Sequence, residues 1–482
     1  MTSSRPAPHS SWADALSALP DSSAKSSLLI LCLSAAIFLT ALGASGIHRA
    51  QEARVAEVAR EMQSSGEWVV PHMNGRVRLN KPPLPYWAVL GSYTLFGDVS
   101  ERTARIPTAL AAIAGILLTA ALARRLYGPG AALLAGAVLA TTQLFILQGR
   151  RAESDVPMTL FVILSLYALE RGFREGRRAW KPVFFGAMGL AFMTKGVPGI
   201  AVPLLAALIW LFLESRIREA LRPSFLSGLL LALLIIAPWY LIISYGFPEA
   251  IEVFRSETLA RLGQDAPHAN PFYYYFLRTP LHLLPWILLL PVAWTGLRSD
   301  REAREASRLP LAWILGGLCF LTLLQGKQPH YLVPLVPPFA ILMGGGLDRA
   351  LASARPAWVT RRFLALFTAV AALAAIFFVA LVEPRVFARK SPREACTQVA
   401  KQVLDAPLIL YRFNNSACVF YLRRTAPVAE DAAHLVELLK AAPGAYILSR
   451  ENQANTAALE GRRILWRSEG YKRNLVLRGP RG

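Results

Sequence analysis

A small set of ionisable residues in an otherwise apolar chain has the types and spacing for chemistry on a charged, lipid-like substrate. Glu52 and Glu57 stand in one polar stretch, followed by Lys81 in LNKPPLPYW. Glu153 and Asp155 share RAESD, Lys195 closes an apolar run at TKGVPG, and Asp265 and His268 share another polar stretch. Lys327, His330 and Tyr331 fall together in GKQPHY. Carboxylates facing a hydroxyl or amine can act as base and as orienting group for a nucleophile. Lys and Arg at headgroup level can hold a phosphodiester and stabilise it as a leaving group. Carboxylates and His beside a phosphate can also recruit a divalent metal. Together these groups suit group transfer from a phospholipid-like donor.

Each residue also has a plainer reading. Glu57 fits a solvated charge on a helix face, and Glu52 a partner for a helix N-terminus. Asp155 fits an N-cap for a helix starting at Val156. The lysines fit side chains that reach out of a membrane to its surface, and a lone His268 fits a structural role. Convergence on one face is what favours a site.

The elements that must position these residues are membrane helices. The chain has 482 residues, 54% of them hydrophobic. The apolar residues come in blocks near the 20 or so needed to cross a bilayer, beginning near Leu28, Thr103, Pro129, Val156, Pro182, Gly199, Pro223, Thr279, Leu309, Tyr331 and Phe363. A formal net charge of +21 would suggest nucleic acid in a soluble protein. Here every second loop is short and basic: Arg124 and Arg125; Arg171 to Lys181; Arg216 to Arg222; Arg298 to Arg308; Arg349 to Arg362. That alternation marks cytoplasmic loops, excludes a nucleic-acid partner and puts the candidate site on the outer side. The expected architecture is mainly α, a polytopic transmembrane core of about 11–13 spans with a small C-terminal α/β domain outside the membrane.

Residues 1–27 read as a polar cytoplasmic tail, residues 28–382 as the core, and residues 383–482 as the outer domain. Within the core, the outer loops 48–102 and 246–278 are too long for connectors, and long loops usually carry function. In the first, the stretch from Gln51 to Met62 has helical spacing of Val55, Ala59 and Met62, which predicts a surface helix with Glu57, Arg60 and Glu61 on its other faces. Pro83 to Gly97 reads as a surface or re-entrant helix. The tail alternates strand-like runs at 408–411, 419–422, 446–448, 464–466 and 475–477 with a helical stretch at 431–442. It shows no nucleotide-binding glycine motif, so no nucleotide cofactor is expected. Cys32 and Cys319 read as packing residues, whereas Cys396 and Cys418 can pair in an oxidising compartment.

The runs EARVAEVAREM from Glu52 and GEWVVPHMNGRVRLNKPPLPYW from Gly66 resemble the first outer loop of bacterial membrane glycosyltransferases of the protein O-mannosyltransferase-like superfamily. That superfamily includes the aminoarabinose transferases that modify lipid A. RAESDVPMT from Arg151, MTKGVPG from Met193, HANPFYYY from His268 with LPW from Leu284, and KQPHYLVPLVPPFAIL from Lys327 match in family order. The resemblance covers roughly residues 48 to 345. It implies a GT-C fold in the inner membrane, a periplasmic C-terminal domain and a polyprenyl-phosphate-linked sugar donor. The acceptor would be a lipid, glycan or protein. By the same resemblance Glu52 and Asp155 are the catalytic acids, and Lys81 contacts the donor phosphate with Lys195, Lys327 and Arg54 as further candidates. His268 would be a possible ligand for a divalent metal.

Two departures bear on this. The family's acidic pair reads Gln51-Glu52 here, and an amide cannot act as a base, so either Glu52 takes the role or the reaction leans on Asp155. Asn80 replaces the Glu that lipid A-modifying members tend to carry before Lys81. The competing class is a transporter or flippase of a lipid-linked saccharide, which should show internal repeats and midplane charges.

Overall fold

The computed structural model describes residues 22–259, 269–299, 301–353, 356–453, 459–468 and 474–480. Most of the expected N-terminal tail, and Asp265 with His268, lie outside the described residues. Each of the apolar blocks is helical. Glu101–Tyr127, Asp155–Arg174, Pro223–Gly246, Arg301–Leu323, Pro329–Ala352 and Arg361–Ala388 are the 6 described helices long and apolar enough to cross a membrane. Two bent pairs, Pro129–Thr141 with Gln143–Gly149 and Tyr274–His282 with Trp286–Leu297, raise that to 8 if each is one span. The remaining blocks form the shorter helices Ala24–Leu39, Trp180–Lys195 and Pro198–Leu213. Counting apolar blocks gives a larger number than counting full-length helices because hydropathy does not register a bend or an early stop.

Local sequence explains many of these limits. Ser100 caps the helix Glu101–Tyr127 in a capping box with Thr103. Proline at the first turn opens the helices at Pro129, Pro198 and Pro223. The helix Pro329–Ala352 is the centre of the core, with 94% of its apolar window buried, whereas Arg361–Ala388 has 17% buried. Its Gly346 lies so close to the helix Leu290–Leu297 that an added Cβ would stand 2.3 Å from the Ala293 carbonyl oxygen. A Cβ at Gly296 would stand 1.9 Å from the Gly346 oxygen. Small residues permit such backbone contact between membrane helices.

The basic loops meet at one end of the bundle. Arg125 pairs with Glu175, Arg308 with Glu214 at 3.3 Å, and Arg349 with Glu302 at 3.0 Å. Three inter-loop pairs put the segments read as cytoplasmic on a common side.

At the other end, the loop 48–102 forms the helix Ala50–Ser65, the hairpin of β1 (His72–Met73) and β2 (Arg76–Val77), and the helix Leu84–Phe96. Asn74 and Gly75 both have positive φ, as a two-residue hairpin turn requires. Leu84–Phe96, at 13 residues and about 20 Å, is too short to span, which agrees with a surface or re-entrant helix. Ala50–Ser65 departs from expectation. It is not a solvated surface helix: Glu57 is fully buried, and Arg60 and Glu61 are buried beside it. Glu57 accepts from Arg60 at 2.6 and 2.8 Å, and Arg60 donates to the Arg423 carbonyl at 3.2 Å. The C-terminal domain covers the face that the sequence pattern leaves polar.

That domain has a five-stranded sheet in the order β4-β3-β5-β7-β6. β3 (Leu408–Tyr411) runs parallel to β4 (Val428–Ala429) and β5 (Tyr446–Arg450). β7 (Leu475–Arg478) runs antiparallel to β5 and to β6 (Ile464–Arg467). The run 419–422 is not a strand but part of the helix Ser416–Leu422, whose N-terminus Asn415 caps by accepting from Ala417 N–H and Cys418 N–H. A parallel β3–β4 pair needs a crossover, and this helix supplies it. Cys396 and Cys418 form a disulfide that ties it to the helix Arg393–Val403. Cys32 and Cys319 are exposed rather than packed. The last core helix continues through Glu383, which pairs with Arg150 at 2.8 Å.

The glycine contact gives a test. Gly296→Leu should destabilise the folded protein by about 1–3 kcal/mol through overpacking, read as a lower thermal unfolding midpoint in detergent. Gly246→Leu, where an added Cβ meets nothing within 4 Å, should leave the midpoint unchanged.

Candidate active site

Glu52 lies in the first turn of Ala50–Ser65 and is 0% exposed. Its Oε1 accepts from Arg105 Nε at 2.7 Å and from the Ala152 backbone N–H at 3.3 Å. Its Oε2 has no hydrogen-bond partner among the described residues. Arg105 is itself fixed, donating to the carbonyls of Leu42 at 2.8 Å and Ser45 at 2.7 Å. Burial alone would raise the pKa of Glu52. The Arg105 charge and hydrogen bond, with Arg151 and His48 behind them, outweigh burial and hold the carboxyl below its ordinary value. Glu52 is therefore an ionised carboxylate with one oxygen unengaged.

A second and a third carboxylate adjoin it. Glu153 accepts from Arg49 Nε at 2.6 Å, and its Oε2 is buried without a partner among the described residues. Desolvation pushes Glu153 upward against the pull of Arg49 and Arg151. Asp155 opens the helix Asp155–Leu169, with Ser154 rather than Asp155 at the N-cap position. Its carboxylate is paired with the Lys195 ammonium, both side chains being buried. The Lys195 ammonium also lies 4.9 Å from the Tyr331 ring centroid, a cation–π contact. His330, 3% exposed, has an Nε2 without a partner among the described residues. Lys81 lies near enough for its charge to act on both Asp155 and His330.

Glu52, Asp155, Lys195 and Lys81 thus belong to one patch, which Arg49, Arg105, Arg151, Glu153 and His330 complete. Gln51 and Arg54 are half-buried on the helix that carries Glu52. Lys327 has a different setting from the one expected: its ammonium donates to the Leu324 carbonyl and, at 3.1 Å, to that of Asn270. It braces the second long loop. His268 lies outside the described residues, and among those described no three His, Cys, Asp or Glu side chains could hold a metal ion. Each carboxylate faces Arg or Lys instead.

Two cavities approach the patch. One of about 190 Å³ is lined by Ala152, Glu153, Val55, Leu84 and Thr194. The other, about 930 Å³ and almost wholly apolar, runs past Tyr275, Leu332, Leu335 and Phe339 toward Arg298 and Arg304. A small gap beside Lys195 and Tyr331 shares Leu335 with it.

A helical membrane core with a buried acid–base patch at one end and an outlying sheet domain makes this a polytopic membrane protein. Residues 80–242 match the family described as dolichyl-phosphate-mannose-protein mannosyltransferase. The undecaprenyl phosphate-alpha-4-amino-4-deoxy-L-arabinose arabinosyl transferase 1 of Pseudomonas fluorescens is 34% identical over 68% of this chain and 60% of its own length. The corresponding transferase of Pseudomonas paraeruginosa is 32% identical over 74% of this chain and 66% of its own. The chain thus spans about three fifths to two thirds of the length of these relatives. Among solved structures, ArnT from Cupriavidus metallidurans bound to undecaprenyl phosphate superposes with a TM-score of 0.79 at 23% identity, covering 93% of this chain and 97% of ArnT. The oligosaccharyltransferase of Archaeoglobus fulgidus gives 0.57 at 12% identity over 90% of this chain and 70% of its own. The chain is thus similar in sequence to the aminoarabinose transferases and shares the GT-C fold of ArnT.

Two expectations follow from these contacts. Lys195→Met leaves the Asp155 carboxylate buried and unpaired, which should cost about 3–5 kcal/mol. The double variant Lys195→Met/Asp155→Asn should recover part of that loss in thermal unfolding. The second concerns Glu57, which burial, against the Arg60 hydrogen bonds, pushes from 4.5 to about 7. Between those values the folded protein keeps a proton that the unfolded chain has released, so stability falls as pH rises through that window. Glu57→Gln should flatten the decline of the unfolding midpoint between pH 4.5 and about 7.

Proposed function

We propose that the protein is an integral-membrane glycosyltransferase that moves a sugar from a polyprenyl-phosphate donor to an acceptor on the outer face of the inner membrane. The observation that carries this reading is the ionised, buried Glu52 with one oxygen unengaged, set in the same patch as the Lys81 and Lys195 ammonium groups. The neighbouring apolar cavity suits an isoprenoid chain, since it is large and nearly free of polar lining, and its wall residue Leu335 also lines the small gap beside Lys195. In this reading residues 1–27 are cytoplasmic and the sheet domain is periplasmic, an orientation that the alternating basic loops support.

In this mechanism Glu52 accepts a hydrogen bond from the acceptor's nucleophilic group and aims it at the anomeric carbon. The new bond forms as the carbon–oxygen bond to the phosphate breaks, with inversion. The departing electron pair stays on polyprenyl phosphate, whose charge Lys81 and Lys195 offset. A phosphate neutralised in this way leaves without a strong general acid. Asp155 holds the Lys195 ammonium in place, and Arg54 and Gln51 stand on the Glu52 helix where they can meet donor or acceptor. A proton released by a hydroxyl or amine acceptor passes to Glu52 late in the reaction, because its lowered pKa makes it a weak base.

Glu52→Gln keeps the shape but removes the charge, and should slow transfer from a labelled polyprenyl-phosphate sugar by about 10²–10⁴-fold. Lys81→Met should chiefly weaken donor use. Full activity in both Glu52→Gln and Asp155→Asn would overturn the assignment.

A further inference from the structure

A catalytic carboxylate must be held within a few tenths of an ångström, yet Glu52 sits on a loop helix. What fixes that helix comes from the far end of the chain. The Tyr421 hydroxyl accepts from the Ile47 backbone N–H at 2.6 Å, and Ser391 Oγ donates to the Ile47 carbonyl at 2.8 Å. Both backbone polar groups of Ile47, three residues before the Glu52 helix begins, are thus held from beyond the last core helix. His48 stacks on Phe387, ring centroids 4.4 Å apart. At Gly46, an added Cβ would come within 2.4 Å of Ser391 Oγ and 3.2 Å of Tyr421 Oη, so a side chain there would force the two segments apart.

The same Tyr421 hydroxyl donates to Glu101 at 2.9 Å. Glu101 opens the helix that carries Arg105, one turn on, and Arg105 holds Glu52. One hydroxyl therefore touches both supports of the carboxylate: the lead-in to its own helix and the start of its partner's helix. The Cys396–Cys418 disulfide joins the helix of Tyr421 to the helix that follows Ser391, which makes the two grips one unit.

We propose that the C-terminal domain is a positioning device for Glu52, with Tyr421 and Ser391 as positioning residues that set the Glu52 helix against the Arg105 helix. This rests on the role given to Glu52 above. Neither residue touches the reacting atoms, so their loss should appear in turnover rather than in donor binding.

The test uses the full-length protein in proteoliposomes with a labelled polyprenyl-phosphate sugar, comparing Tyr421→Phe, Ser391→Ala, the double variant and Glu52→Gln. Glu437→Gln, on an exposed face of the same domain, is the control. The double variant should lose about 10- to 100-fold in kcat, with donor KM and unfolding midpoint near those of the control. A lower midpoint with kcat per folded molecule unchanged would mean a purely structural role and overturn the proposal. So would wild-type kcat in the double variant while Glu52→Gln is inactive. If Glu52→Gln itself is fully active, the reading of Glu52 fails first and this inference falls with it.

Discussion

A carboxylate withdrawn from solvent stays charged only if a cation is fixed beside it, and Arg105 does this for Glu52. The pair is completely enclosed, so neither group can be supplied by water or by a mobile side chain. Arg105 must come from a helix that enters the core, and Glu52 from a helix pressed against it. Much of the outer end of the molecule follows from that requirement. The Ser100 cap sets where the Arg105 helix starts, the carbonyls of Leu42 and Ser45 orient the guanidinium, and the Ala152 N–H brings the RAESD turn against Glu52. Once that turn is placed, Glu153 and Asp155 are placed too, each beside its own cation.

The sequence was most informative where chemistry is written in short runs. Glu52, Lys81, Asp155 and Lys195 were legible because charges at the ends of apolar blocks are costly and need a reason. Lys327 was legible as a charge in such a place but not as a brace, since its carbonyl partners on Leu324 and Asn270 belong to loop geometry. Arg105 was passed over although it carried the same signal, an Arg set inside an apolar block. Glu57 was misread as solvated because helical periodicity reports only which residues share a face, not what covers it. Its cover comes from residues around Arg423, more than 360 positions away.

The same limit applies to the fold. Apolar blocks mark helices well, and strands β3, β5, β6 and β7 stood where the short strand-like runs put them. The run at 419–422 has the composition of a strand but lies in a crossover, where the Asn415 cap and the parallel pairing of β3 and β4 decide the matter. The bends between Thr141 and Gln143 and between His282 and Trp286 leave no mark in hydropathy, so spans are harder to count than helices are to find.

The join between Ile47 and Tyr421 has a consequence for how the protein is made. The two residues are 374 positions apart, and a ribosome delivers them in that order. The loop carrying Glu52 emerges early, while the partners of Ile47, Arg60 and Asn74 are delivered only after the last core helix has been threaded. Until then Glu57 and its neighbours have no cover, and the helix they share has no fixed seat. Completion of the patch is thereby tied to completion of insertion.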